Sequence, residues 1–88
     1  MTGPAAAEAL RAELRAWLAT HLTAAVRAAL AAPDAWDAHR AWNATLVDAG
    51  WGAVGWPAAY GGRDADVPAQ LAWHEEMARA GAPGPVNA

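Results

Sequence analysis

The run Gly50-Trp51-Gly52-Ala53-Val54-Gly55-Trp56-Pro57-Ala58-Ala59-Tyr60-Gly61-Gly62 constrains this chain more than any other stretch. Alanine-rich helical sequence stops there, and glycines, a proline and three large aromatics fill one short connection. Glycine reaches positive φ cheaply and proline fixes φ at about −65°. A segment dense in both holds one particular backbone path. Trp51, Trp56 and Tyr60 give that path apolar surface to bury. The expectation is an ordered loop packed on helices, with Trp51, Trp56, Pro57, Tyr60, Gly61 and Gly62 as its structural residues.

With 88 residues the chain is one domain at most, spanning 1–88. A domain this small buries only about 60% of its unfolded surface. Its 56% hydrophobic content overstates the core, because alanine supplies 28 of those residues. The larger apolar set is seven Leu, five Val, two Met, six Trp and one Tyr. Part of the stability is therefore expected to come from a partner surface.

The net charge is −3 and all six basic residues are Arg. Without a basic cluster, neither a nucleic-acid footprint nor an anionic-membrane patch is expected. The absence of Cys removes disulfides, thiolate catalysis and cysteine metal sites. No signal-peptide pattern or membrane-length apolar run is read, so a cytoplasmic protein is expected.

Hydrophobic spacing predicts four helices. The first starts at Pro4 and ends near Leu22. Leu10, Leu14, Trp17, Leu18 and His21 share one face, and Glu8, Arg11, Glu13 and Arg15 are expected in solvent. Thr23 caps a short second helix over 24–31, which Pro33 stops. Asp34 is expected to cap the third, with Asp37 in its first turn and Ala35, Ala38, His39, Trp42 and Leu46 on one face. Gly50 reads as the left-handed residue of a Schellman ending, which turns Trp51 back onto Leu46. Asp64 and Asp66 suit turns or caps. Pro68 suits the first turn of a fourth helix, ending near Ala80 before Gly81. That helix places Gln70, Trp73 and Met77 on one side and Leu71, His74, Glu75 and Ala78 on the other, as if sandwiched. No segment alternates as a strand must. The fold class is therefore all-α, a small up-down bundle of three to four helices.

Few residues offer chemistry. Glu75 and Glu76 are helical neighbours pointing about 100° apart, so they do not share a proton. They read as partners of an arginine such as Arg79, in an exposed ion pair, or as caps of loop N–H groups. His21, His39 and His74 match no metal spacing and read as half-buried polar residues. Tyr60 reads as an anchor whose hydroxyl bonds backbone.

These features, in this order, resemble the N-terminal domain of acyl-CoA dehydrogenases. Arg40-Ala41-Trp42, Leu46 and Ala49-Gly50-Trp51 are similar to the end of that domain's third helix. Gly55-Trp56-Pro57-Ala58-Ala59-Tyr60-Gly61-Gly62-Arg63 resembles the loop that follows, with Asp64 where relatives often carry Gly. The stretch from Gln70 to Pro83 is similar to the next helix with its Glu-Glu pair, and Gly84-Pro85-Val86-Asn87 fits the actinobacterial branch. The resemblance implies an FAD-dependent oxidoreductase that desaturates the α,β bond of an acyl-CoA thioester. It implies further domains or subunits and an oligomer when complete. The family's base and most flavin contacts lie in segments beyond this match, so no catalytic, cofactor-binding or metal residue is carried over. Val86 and Asn87 are the candidate substrate-pocket residues. A fragment inactive alone is the first reading. The alternatives are a non-catalytic helical subunit docking on a separately encoded flavoprotein dehydrogenase, and an unrelated helical adaptor.

Overall fold

A computed structural model describes residues 3–85. They form four α-helices, α1 (Gly3–His21), α2 (Ala24–Ala31), α3 (Trp36–Asp48) and α4 (Val67–Ala80), with a 3-10 turn at Ala58–Tyr60. No strand occurs among the described residues, and the fold is all-α.

Local chemistry sets most boundaries. Val26 N–H donates to the Thr23 hydroxyl at 3.2 Å, closing the first turn of α2. Asp66 caps α4 by accepting from Ala69 N–H at 3.1 Å, and Pro68 occupies the first turn. The third helix corrects the expectation. Asp34 sits at φ 58° inside the turn after Pro33, and Ala35 holds the cap position without a side-chain bond. Asp tolerates the left-handed region better than most residues. The tight turn therefore takes it, and the helix starts later.

The α3 end follows the Schellman pattern. Gly50 has φ 82°, Trp51 N–H donates to Leu46 carbonyl at 2.8 Å, and Gly50 N–H donates to Val47 carbonyl at 3.0 Å. Trp51 is thereby driven inward and is fully buried.

Inter-helix contacts fix the arrangement. Gly3, at the start of α1, donates to Asp66, at the start of α4, at 2.8 Å. Arg15 further along α1 meets Glu76 further along α4, so these two helices run parallel. Trp42 donates to the Pro83 carbonyl just after α4, at 2.9 Å, and the α3 C-terminus lies against Arg63, which pairs with Glu13. α3 therefore runs opposite to α1 and α4. Leu14, Leu18, Leu22, Trp42, Leu46, Trp51, Val54, Trp73 and Met77 form one core. Indoles bridge the helices: Trp17 lies 5.7 Å from Trp42 and 6.3 Å from Trp51, ring centre to ring centre.

The fourth helix buries Ala69, Ala72, Trp73, Glu76 and Met77. This i, i+3, i+4, i+7, i+8 stripe is a single face. Leu71 is 58% exposed and Val67 69% exposed on the outer side, so within this domain α4 is packed on one face only.

Candidate functional site

Two arginine-centred constellations hold the domain together, and an apolar surface lies beside them. The first sits at the α1–α4 seam. Glu76 is 2% exposed and takes five hydrogen bonds from three guanidiniums. Arg15 grips both carboxylate oxygens, at 2.9 and 3.0 Å. Arg11 donates to Oε2 at 2.9 Å, and Arg79 reaches Oε1 at 3.1 Å from one turn away on α4. Arg11 also binds Glu75 at 2.8 Å. The arginines expected in solvent on α1 thus cross to α4, because a carboxylate at a core position requires compensating charge.

This geometry fixes the protonation state. The Arg15 hydrogen bonds pull Glu76 down from 4.5 to about 2, against the upward push of burial, with Arg11 and Arg79 assisting. A carboxylate so acidic, with both oxygens occupied, neither donates a proton nor accepts one near neutral pH. Its role is to join helices.

The second constellation makes the loop rigid. Arg63 donates to Ala49 carbonyl at 2.7 Å and to Gly50 carbonyl at 3.1 Å, covering the open end of α3. Its guanidinium lies 3.4 Å from the ring centre of Trp51, a cation–π contact, and it pairs with Glu13. Val54 carbonyl accepts from both Arg63 and Ala65 N–H, so the loop doubles back on itself. At the fold-back, a Cβ on Gly62 would lie 2.7 Å from Ala53 carbonyl oxygen and closer still to that of Trp56. Only glycine fits. Asp64 takes the left-handed position at φ 52°, and its carboxylate accepts from Ala58 N–H at 3.2 Å.

The expected aromatic packing holds for Trp51 alone. Trp56 is 61% and Tyr60 75% exposed, so neither anchors the loop to this domain. Pro57 and Gly61 lie at the surface flanking the 3-10 turn, and Gly61 adopts φ 87°. A shallow groove between loop and α4 is lined by Trp56, Gln70, Trp73 and His74. Val86 and Asn87 lie outside the described residues.

The histidines are separate. His21 stacks on Trp17 at 4.4 Å, His39 shares a contact with Leu30 carbonyl at 3.2 Å, and His74 lies edge-on to Trp73 at 4.8 Å. Among the described residues no group of His, Cys, Asp or Glu could hold a metal ion. None of their helices is long and apolar enough to cross a membrane.

The N-terminal amides of α2 and α4, natural seats for a pyrophosphate, are filled by Thr23 and Asp66. The first turn of α3 carries Asp37, which repels an anion.

Acid should loosen the α1–α4 seam. The amides of Gly3, then Ala69, hold Asp66 below its ordinary value, in the same direction as Glu76. Both groups bind protons more weakly when folded. The Glu76 contribution is complete above its ordinary value of 4.5 and is lost as pH falls towards about 2, and the Asp66 contribution is lost in the same direction. The thermal midpoint should fall across that window, and Glu76→Gln should flatten the fall. An unchanged acid limb in that variant would contradict this assignment.

The expected Glu76–Arg79 pair is present, but the burial of Glu76, its Arg11 and Arg15 partners and the role of Arg63 were not anticipated from the sequence. Glu76 was detectable, since it falls in register with Ala69, Trp73 and Met77, opposite two arginines spaced i, i+4 on α1.

Comparison with known proteins gives the class of this helical domain. The chain belongs to the acyl-CoA dehydrogenase family: residues 4–87 match the model of the family's N-terminal domain. It is 43% identical over 83 residues to acyl-CoA dehydrogenase IpdE1 of Mycolicibacterium smegmatis, covering 88% of this chain and 21% of that protein. It is 41% identical over 86 residues to acyl-CoA dehydrogenase IpdE1 of Mycobacterium tuberculosis, covering 91% of this chain and 22% of that protein. Acyl-CoA dehydrogenase FadE26 of the same organism is 39% identical over 82 residues, covering 89% and 20%. The chain thus spans about a fifth of the length of each of these relatives. No solved structure matches it significantly.

Proposed function

We propose that this chain is the N-terminal helical domain of an FAD-dependent acyl-CoA dehydrogenase and is inactive alone. The complete enzyme would desaturate the α,β bond of an acyl-CoA thioester. In this reading FAD and the catalytic base belong to the remaining domains or subunits, and Val86 and Asn87 approach the acyl group. The domain supplies a rigid wall, not reacting groups. One observation carries the reading beyond family membership: Trp56, Tyr60, Val67 and Leu71 on the loop and the outer side of α4 are each more than half exposed, as are Trp36 and Val47 on α3. Apolar surface of this kind marks a contact face. The same face serves the alternative, a non-catalytic subunit docking on a separately encoded flavoprotein dehydrogenase. A downstream reading frame that continues into the missing domains favours the first reading, and a neighbouring dehydrogenase gene favours the second.

The purified chain should turn over no acyl-CoA, and it should bind a hydrophobic dye or self-associate. Leu71→Glu with Val67→Glu should suppress both dye binding and association. Dehydrogenase turnover by the chain alone would refute the proposal. Strictly monomeric behaviour without dye binding would show that the exposed residues form no contact face.

A further inference from the structure

We infer that a recess bounded by the second half of α1, by α2 and by the end of α4 binds a terminal phosphoryl group. The recess has a volume of about 490 Å³. Arg15, Arg27 and Arg79 line it, with Leu18 and Leu22 contributing apolar wall. The chain carries a net charge of −3, yet half of its arginines meet here.

The charges do not cancel. Arg15 and Arg79 share one carboxylate, that of Glu76. Among the described residues Arg27 meets no carboxylate; it donates to the Ala80 carbonyl at 2.7 Å. Arg11 shares Glu76 and also meets Glu8 and Glu75, so the cluster sets four guanidiniums against three carboxylates and keeps one positive charge in excess. The exposed C-terminus of α4 offsets about half a charge.

The donors are also held in place. Each guanidinium has five N–H groups. Arg15 and Arg79 use only part of theirs on Glu76, and Arg27 uses one nitrogen on Ala80. The Arg15 and Arg79 side chains remain 55% and 58% exposed. Anchored guanidiniums lose less freedom when they meet a ligand. A terminal phosphoryl group is an anion with three acceptor oxygens, one for each of the guanidiniums that line the recess. This site depends on α1, α2 and α4 alone and does not require the dehydrogenase reading.

The test titrates the 88-residue chain with inorganic phosphate and with phenyl phosphate at low ionic strength, followed calorimetrically. Saturable binding that weakens with added salt is expected. Arg27→Gln should weaken it by about tenfold, the loss of one charge-assisted contact. Arg27→Lys, which keeps the charge but not the fork, should weaken it less. Arg40→Gln, removing an exposed arginine paired with Asp37 on α3, should leave it unchanged. Tighter binding of phenyl phosphate would identify a phosphate ester lying against Leu18 and Leu22; equal binding would identify free phosphate. No saturable binding of either probe would overturn the assignment, as would equal losses in Arg27→Gln and Arg40→Gln.

Discussion

Trp51→Ala is expected to lower the unfolding free energy by about 3–5 kcal/mol, the range for truncating a buried indole. Trp51 has no exposed surface and sits where α3, the loop and α1 converge. Truncation opens a cavity among Leu14, Leu46 and Val54 and removes the ring on which Arg63 rests. A domain of 88 residues holds only roughly 4–13 kcal/mol in all, so the variant should be partly unfolded near body temperature. Trp51→Phe separates the causes. The indole N–H is buried without a partner, so phenylalanine forfeits no hydrogen bond and keeps most of the apolar contact. Denaturation midpoints should therefore rank wild type and Trp51→Phe close together, with Trp51→Ala far below. Equal midpoints for wild type and Trp51→Ala would show that the loop is not anchored there.

Glu76→Gln should be the next most damaging change, at about 2–4 kcal/mol. Removing one partner of a fully buried ion pair costs about 3–5 kcal/mol. Here the figure is reduced because Arg15 and Arg79 are half-exposed and can turn to water. Arg11, at 26% exposure, is more confined. The neighbouring Glu75→Gln removes a carboxylate 66% exposed and should cost about 0–1 kcal/mol. A chain reading Glu76 as solvated would expect equal effects for the two adjacent residues. Burial makes them unequal, and equal midpoints for the two variants would contradict the seam described above.

What was legible in the sequence was what local chemistry dictates. Thr23, Gly50 and Gly81 set boundaries through caps that need only neighbouring backbone. Gly50 followed by Trp51 also revealed the core, since the Schellman turn aims the next residue inward. Less was legible where alanine hid the faces. In α4 the buried stripe contains Ala69 and Ala72, which look the same on a buried face as on an exposed one, so Glu76 was not seen to lie among core residues. Asp34 suited both a cap and a left-handed turn, and the turn after Pro33 took it. His21 completes the apolar stripe of α1 but sits at the helix end, where the stripe runs out into solvent. Trp56 and Tyr60 are a different case. A sequence marks them as apolar surface but does not say whether their own core or another body covers it.

On the proposed function, this chain serves as the N-terminal domain of an acyl-CoA dehydrogenase. The most direct measurement replaces the matching N-terminal segment of Mycolicibacterium smegmatis acyl-CoA dehydrogenase IpdE1, about a fifth of that enzyme, with this chain. The chimera is expected to fold and to turn over the parent's acyl-CoA substrate, and Trp51→Ala within the graft is expected to abolish this. A folded chimera without turnover, alongside an active parent, would contradict it.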